Sequence, residues 1–313
     1  MKSNNENHIA GKQRLQPAIK LRAAAVFVGA VSMFAHATYA ADAKKPQSAA
    51  DLAKASQNPV SSMISVPFEN NATFNNGPDD VFVDVLNIKP VIPMSLNADW
   101  NLINRLIIPV VYQADGFTGQ THVGGASIGQ HQPTTDFTTK EQDLGSQFGI
   151  GDIVYQGFIS PKKTGKLIWG LGAQLNVPTG MDRLTSNQWS LGPAAVALTM
   201  PGHWVIGALL SNVWNVGNGY DDAPDVNAMT LPPFVNYNMK KGWYLSSGPV
   251  ITANWEADSG QQWTVPIGGG AGRIFKMGKQ HVNMKLAAYY NVEAPDDATD
   301  WNLQLSFTLM FPK

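Results

Sequence analysis

The chain contains no cysteine. That absence excludes a disulfide framework, a thiolate metal site and thiol catalysis. Charge is scarce as well: 14% of the residues are Asp, Glu, Lys or Arg, and 22 basic against 23 acidic residues leave a balance of -1. Such a balance supplies no basic surface for nucleic acid. Also missing is any run of about 18 consecutive apolar residues, the length a membrane-spanning helix needs. The longest candidate, Ala23 to Ala35, follows Lys12, Arg14, Lys20 and Arg22 and precedes the small-residue pairs Ala35/Ala37 and Thr38/Ala40. Residues 1–40 therefore read as a secretory signal peptide, cut after Ala37 or Ala40. An exported chain without disulfides must draw its stability from the fold itself.

What the sequence does have is rhythm. From about Ser61 to Phe311 it reads as roughly twelve strands, whose connections alternate between short basic turns and long acidic loops. The short ones include Ser160 to Gly165, Met200 to His203, Met239 to Gly242 and Lys276 to Gln280. The long ones include Asn71 to Asp80, Ala114 to Ser146, Asn215 to Asp225, Glu256 to Gln262 and Glu293 to Asp300, with acidic pairs at Asp79/Asp80, Asp221/Asp222 and Asp296/Asp297. In the last strand Trp301, Leu303, Leu305, Phe307, Leu309 and Phe311 alternate with Asn302, Gln304, Ser306, Thr308 and Met310. Leu167 to Val177 and Val282 to Val292 alternate in the same way. Strict period two over about 9–11 residues matches a tilted strand crossing the hydrocarbon layer. Tryptophans gather at strand ends, as interfacial girdles require. The fold expected is an all-β transmembrane antiparallel barrel of about twelve strands over 61–313. It is preceded by an extension, 41–60, with a short helix over Ser48 to Ser56. That helix either tucks into the lumen or simply leads into the first strand. Met229 to Met239, Trp263 to Phe275 and Val83 to Leu96 are the weaker strands, because they carry Pro or Gly runs.

Short motifs point to a family. Asp51 to Pro59 followed by Ile64-Ser-Val-Pro-Phe68, Gly149 to Ile153, Gly170-Leu-Gly, Val177-Pro-Thr-Gly180 and Trp189 to Pro193 occur in order. Over residues 50 to 313 the chain resembles the bacterial outer-membrane proteins of the phenol-degradation MetA-pathway type. The resemblance implies a barrel with a role in transport, often of small aromatic or other apolar compounds. The ending Phe311-Pro-Lys313 departs from the terminal aromatic of many such barrels.

Strand parity turns a set of polar side chains inward. Arg105, Asp152, Gln156, Gln174, Asn176, Asn254, Lys285, Tyr289, Asn302 and Gln304 are the candidate lumen residues. They either set a solute path or fill the interior, with Asp152 paired to Lys285 or Arg105. No cofactor or metal site is read: Gly268 to Gly272 lacks the Lys of a phosphate loop, and the loop Asp pairs have no EF-hand spacing. Catalysis is not expected, since His203 and His281 fall at the turn end and His122 and His131 in a large loop, none beside a strand Ser. The partners expected are outer-membrane lipid and lipopolysaccharide, a small-molecule solute and the barrel-assembly machinery. The localisation expected is the bacterial outer membrane. A plugged, purely structural or adhesive barrel is the competing reading.

Overall fold

The computed structural model describes residues 49–76, 80–114, 122–123, 133–134, 146–181, 184, 188–218, 225–296 and 298–312. Residues 1–48, which include the expected signal peptide, and Asp79, Asp221, Asp222, Asp297 and His131 lie outside them, as does the side chain of His122.

Among these residues twelve staves close one antiparallel sheet. They are β1 (Ile64–Asn76), β2 (Val81–Ile88 and Val91–Ser95), β3 (Trp100–Gln113), β4 (Gln147–Ile150 and Ile153–Pro161), β5 (Leu167–Val177) and β6 (Gln188–Thr199). Then follow β7 (Trp204–Asn218), β8 (Asn227–Leu231 and Pro233–Asn238), β9 (Trp243–Ser247 and Ile251–Asn254), β10 (Trp263–Met277), β11 (Gln280–Glu293) and β12 (Trp301–Phe311). Each stave pairs with its neighbours in sequence, and β12 closes on β1 from Ile64↔Phe311 to Phe74↔Trp301. Short ladders at His122–Val123 and Pro133–Thr134 form a separate pair.

Period-two alternation decides which way each residue faces. On β12 the odd residues Trp301, Leu303 and Leu305 are exposed outward, while Asn302, Gln304, Ser306 and Thr308 are buried inside. The outer face is therefore apolar. Its aromatic side chains sort into two belts. Trp100, Trp169, Trp204, Tyr237 and Trp243 lie at the short-turn rim, with Trp204 and Tyr237 rings 4.8 Å apart. Trp255, Trp263, Tyr290 and Trp301 lie at the long-loop rim, paired at 5.4 and 5.0 Å. Rings with one wet edge favour the headgroup level on each side of a bilayer.

Two of the three strands expected to be weak are interrupted, whereas β10 runs unbroken through Pro266 and its glycines, and β9, read as regular, is broken. β2 breaks at Lys89-Pro90, β8 at Pro232, and β9 across Gly248, Pro249 and Val250. Proline cannot donate to the ladder. Bridging bonds such as Lys89 N to the Pro67 carbonyl, 2.8 Å, keep β2 attached to its neighbour.

The helix α1 (Ala49–Ser56) is built from good helix formers, with Asp51 in its first turn and Lys54 in its last, complementing the dipole. It ends before Pro59, which disfavours helix in the residue preceding it. Leu52 and Ala53 pack against Met63, Tyr244, Ile274 and Met310 on the inner wall. Val60 then joins the opposite inner patch of Ile103, Phe158, Val196, Leu198, Val205 and Leu209. Gln57 and Asn238 exchange two side-chain hydrogen bonds of 3.0 Å. The segment thus crosses the lumen at the turn rim, anchored on both sides. Burying Leu52 alone contributes about 1.5–3 kcal/mol.

Register leaves no room for a side chain at Gly172 of β5, where a Cβ would stand 1.7 Å from the Gly157 carbonyl oxygen. Gly172→Ala is expected to cost about 2 kcal/mol, read as an earlier loss of the heat-modifiable band on gels. Gly165→Ala, with nothing within 4 Å of its Cβ, is expected to stay within about 0.5 kcal/mol of the parent. Equal behaviour of the two variants would contradict this register.

Candidate functional site

At mid-height the inner wall carries a charged layer. Glu69, Arg105 and Lys285 are each the sixth residue of a strand that starts at the turn rim, namely β1 at Ile64, β3 at Trp100 and β11 at Gln280. That places all three about 17 Å along their strands from that rim. Register puts Lys285 and Glu69 in one row, since Lys285 pairs with Ser306, Ser306 with Glu69 and Glu69 with Asn87 across four adjacent strands, while Arg105 pairs with Val91 and Gln156. Lys89, at the break in β2, makes a direct ion pair with Glu69. Glu69 also lies within electrostatic reach of Lys285, and Arg105 within reach of Glu69. One carboxylate thus faces three cations.

The carboxylate of this layer is not Asp152. Asp152 sits at the break in β4, where its Oδ1 accepts a 3.2 Å hydrogen bond from the Gly180 backbone N. The group that Arg105 and Lys285 both face is Glu69. Sequence reading missed Glu69 and Lys89. Lys89 is masked by the Pro90 interruption. Glu69 was legible, since Ser65, Pro67, Glu69, Asn71 and Thr73 share one parity in β1, but Asn70 on the outer face blurs the alternation.

Two hydrogen-bonded polar chains flank the charges. Gln156 Nε2 donates to Gln174 Oε1 (2.8 Å), and Gln174 Nε2 donates to Asn176 Oδ1 (3.0 Å). On the other side Gln304 Nε2 and Asn302 Nδ2 donate to Asn71 Oδ1 at 3.1 and 3.4 Å. The wall retains unused capacity: Arg105 Nη1, Asn87 Nδ2, Gln156 Oε1, Asn176 Nδ2, Asn302 Oδ1, Gln304 Oε1 and Ser306 Oγ are buried without a hydrogen-bond partner among the described residues. Buried groups of this kind are rare in packed cores and call for an explanation. A lumen that exchanges water or solute provides one.

Tyr289 leads from the charged layer to a weak place in the wall. Its hydroxyl accepts a 3.2 Å hydrogen bond from Gly248 N, reaching across the glycines of β10. Between β9 and β10, ladder pairing joins Ser246↔Gly270 and Thr252↔Thr264, with no pairs in between. Between β8 and β9 it stops at Val235↔Ser247 and resumes at Leu231↔Ile251. These gaps fall at the same height. Asn254, by contrast, belongs to the loop rim, where its Oδ1 accepts from Glu256 N.

Of the loop carboxylates, Asp225 accepts from Asn215 Nδ2 (3.0 Å), and Asp296 exchanges two hydrogen bonds with Gln261. Both tie loops together. His203 stacks on Tyr237 at the turn rim, with ring centroids 5.9 Å apart.

The family described as "Putative MetA-pathway of phenol degradation" matches residues 71–311. Comparison with curated proteins finds no match. An outer-membrane channel from Pseudomonas putida F1 superposes with a TM-score of 0.57 and 17% identity, covering 81% of this chain and 97% of that one. The two share a fold, that of an outer-membrane barrel. A FadL homologue from Pseudomonas aeruginosa matches at a TM-score of 0.42 and 9% identity, over 81% of this chain and 92% of the other.

Removing one partner of a buried ion pair strands the other charge. Glu69→Leu is expected to lower unfolding free energy by about 3 kcal/mol, measured by urea titration in lipid vesicles. Glu69→Leu with Lys89→Met recovers only part of it, because Arg105 and Lys285 still lack a counter-charge. Full recovery would show that those two cations do not depend on Glu69.

Proposed function

The chain belongs to the MetA-pathway family of phenol-degradation proteins, and we propose that it is an outer-membrane channel for small, largely apolar solutes. The observation that carries this reading is the combination of a lumen blocked at the turn rim with a wall interrupted at mid-height. Solute enters from the long-loop rim, which faces outward toward lipopolysaccharide, and meets the polar chains of β4–β5 and β12–β1. Passage straight down is obstructed by Leu52, Gln57, Val60 and Met63. The alternative exit is sideways, between β8, β9 and β10, where Pro232, Gly248 to Val250 and the stretch of β10 between Thr264 and Gly270 leave ladder pairs unmade on the β9 side.

A route through the wall suits apolar cargo, because a membrane's hydrocarbon layer takes it up without further help. It does not suit inorganic ions, which have no apolar part for that layer to take up. A closed, purely structural barrel would explain the docked helix equally well. It would not explain why the interruptions in β8 and β9 coincide in height with the stretch of β10 left unpaired on its β9 side, next to Tyr289.

The test exploits the lack of native cysteine. Val235 and Ser247 are antiparallel partners at the edge of the gap, so Val235→Cys with Ser247→Cys joins β8 to β9 there. Toluene uptake by cells carrying the oxidised double variant is expected to drop at least about fivefold, an activation change of roughly 1 kcal/mol, and to recover on reduction. Unchanged uptake in a verified disulfide form would rule out the lateral route.

A further inference from the structure

We propose that the mid-height layer is a seat for an oxyanion, and that the cargo is an apolar molecule bearing one anionic head. This rests on the reading above of an apolar solute leaving through the wall, and it names the class of that solute. Arg105, Lys285 and Asn87 make the seat. Glu69 is ion-paired with Lys89, so its single negative charge is shared among three cations and the layer keeps an excess of positive charge at Arg105 and Lys285. Arg105 Nη1 and Asn87 Nδ2 are both donors, both buried, and both lack a partner. An unpartnered buried cationic donor is costly, and an oxyanion removes that cost with charge-assisted hydrogen bonds.

The surroundings are those of an amphiphile's site rather than of an inorganic ion's. Arg105 projects from β3 between Ile103 and Ile107, and these two pack in one inner cluster with Val154, Phe158 and Leu209. A head held at Arg105 therefore has an apolar wall directly beside it. Lys285 stands on β11, the strand that also carries Tyr289, the residue bonded to Gly248 at the interrupted part of the wall. The head would rest on the fixed side of the barrel while the apolar part turns toward the gap.

The test is calorimetric titration of the refolded chain from Ala41, in non-ionic detergent, with decanoate, decyl phosphate, decanol and decyltrimethylammonium. At least one anion is expected to bind about tenfold more tightly than decanol, the scale of one charge-assisted contact. The tighter of the two identifies the head as carboxylate or phosphate. Arg105→Gln with Lys285→Gln should reduce anion binding to the level of decanol and leave decanol unchanged. Lys285→Arg should keep the preference, and Glu69→Gln should strengthen it about threefold, a gain that misfolding cannot mimic. Equal binding of anion and alcohol, or tighter binding of the ammonium compound, overturns the oxyanion seat while leaving the apolar route standing. Failure of all four to bind overturns the apolar reading, and this proposal with it.

Discussion

Closure of β12 on β1 is the constraint from which the other features follow. Within a hydrocarbon layer no water is available to an unpaired backbone group, and a sheet survives there only if it has no free edge. The eleven-residue ladder from Ile64↔Phe311 to Phe74↔Trp301 meets that condition. Once the sheet closes, alternation gives every strand one lipid-facing and one inward-facing set of side chains. The apolar exterior, the two aromatic belts and the polar interior are consequences of one geometry.

The interior is where the structure departs from what stability alone would select. A barrel of this size can be packed solid, and its lower half nearly is, with two apolar patches gripping the segment from Leu52 to Met63. Above that level the wall changes to amides, hydroxyls and one carboxylate among three cations. Those groups contribute little to folding, because much of their hydrogen-bonding capacity is unused. Apolar replacements of similar volume would often be neutral or stabilising. Their retention beside a broken stretch of sheet is what points to passage rather than filling.

The regular staves were legible because parity in β5, β11 and β12 is unbroken over their whole length. The proline interruptions in β2 and β8 were visible as weakness, whereas the break in β9 was not foreseen and β10, expected to be weak, runs unbroken. The shared height of the β8 and β9 breaks depends on register, which no single strand reveals. The short helix could be read from residues 49–56, yet its position could not. The Gln57–Asn238 pair joins residues 181 positions apart. The charged layer was half legible: Arg105 and Lys285 follow from parity, whereas Lys89 is hidden by Pro90, and Asp152 drew attention that belonged to Glu69. Asp84 breaks parity altogether. It faces outward, held by Asn70 Nδ2 at 2.8 and 2.9 Å, so a polar pair stabilises a position the alternation would make apolar.

The account turns on the claim that the segment before β1 closes the turn rim from within. Single-channel conductance in planar bilayers addresses it directly, comparing the refolded chain from Ala41 with one beginning at Ser61. The account predicts brief, small events for the longer chain and stable, larger openings once residues 41–60 are removed. Stable openings of the same size in both would contradict it, because the lumen would then be open past Leu52, Gln57 and Val60.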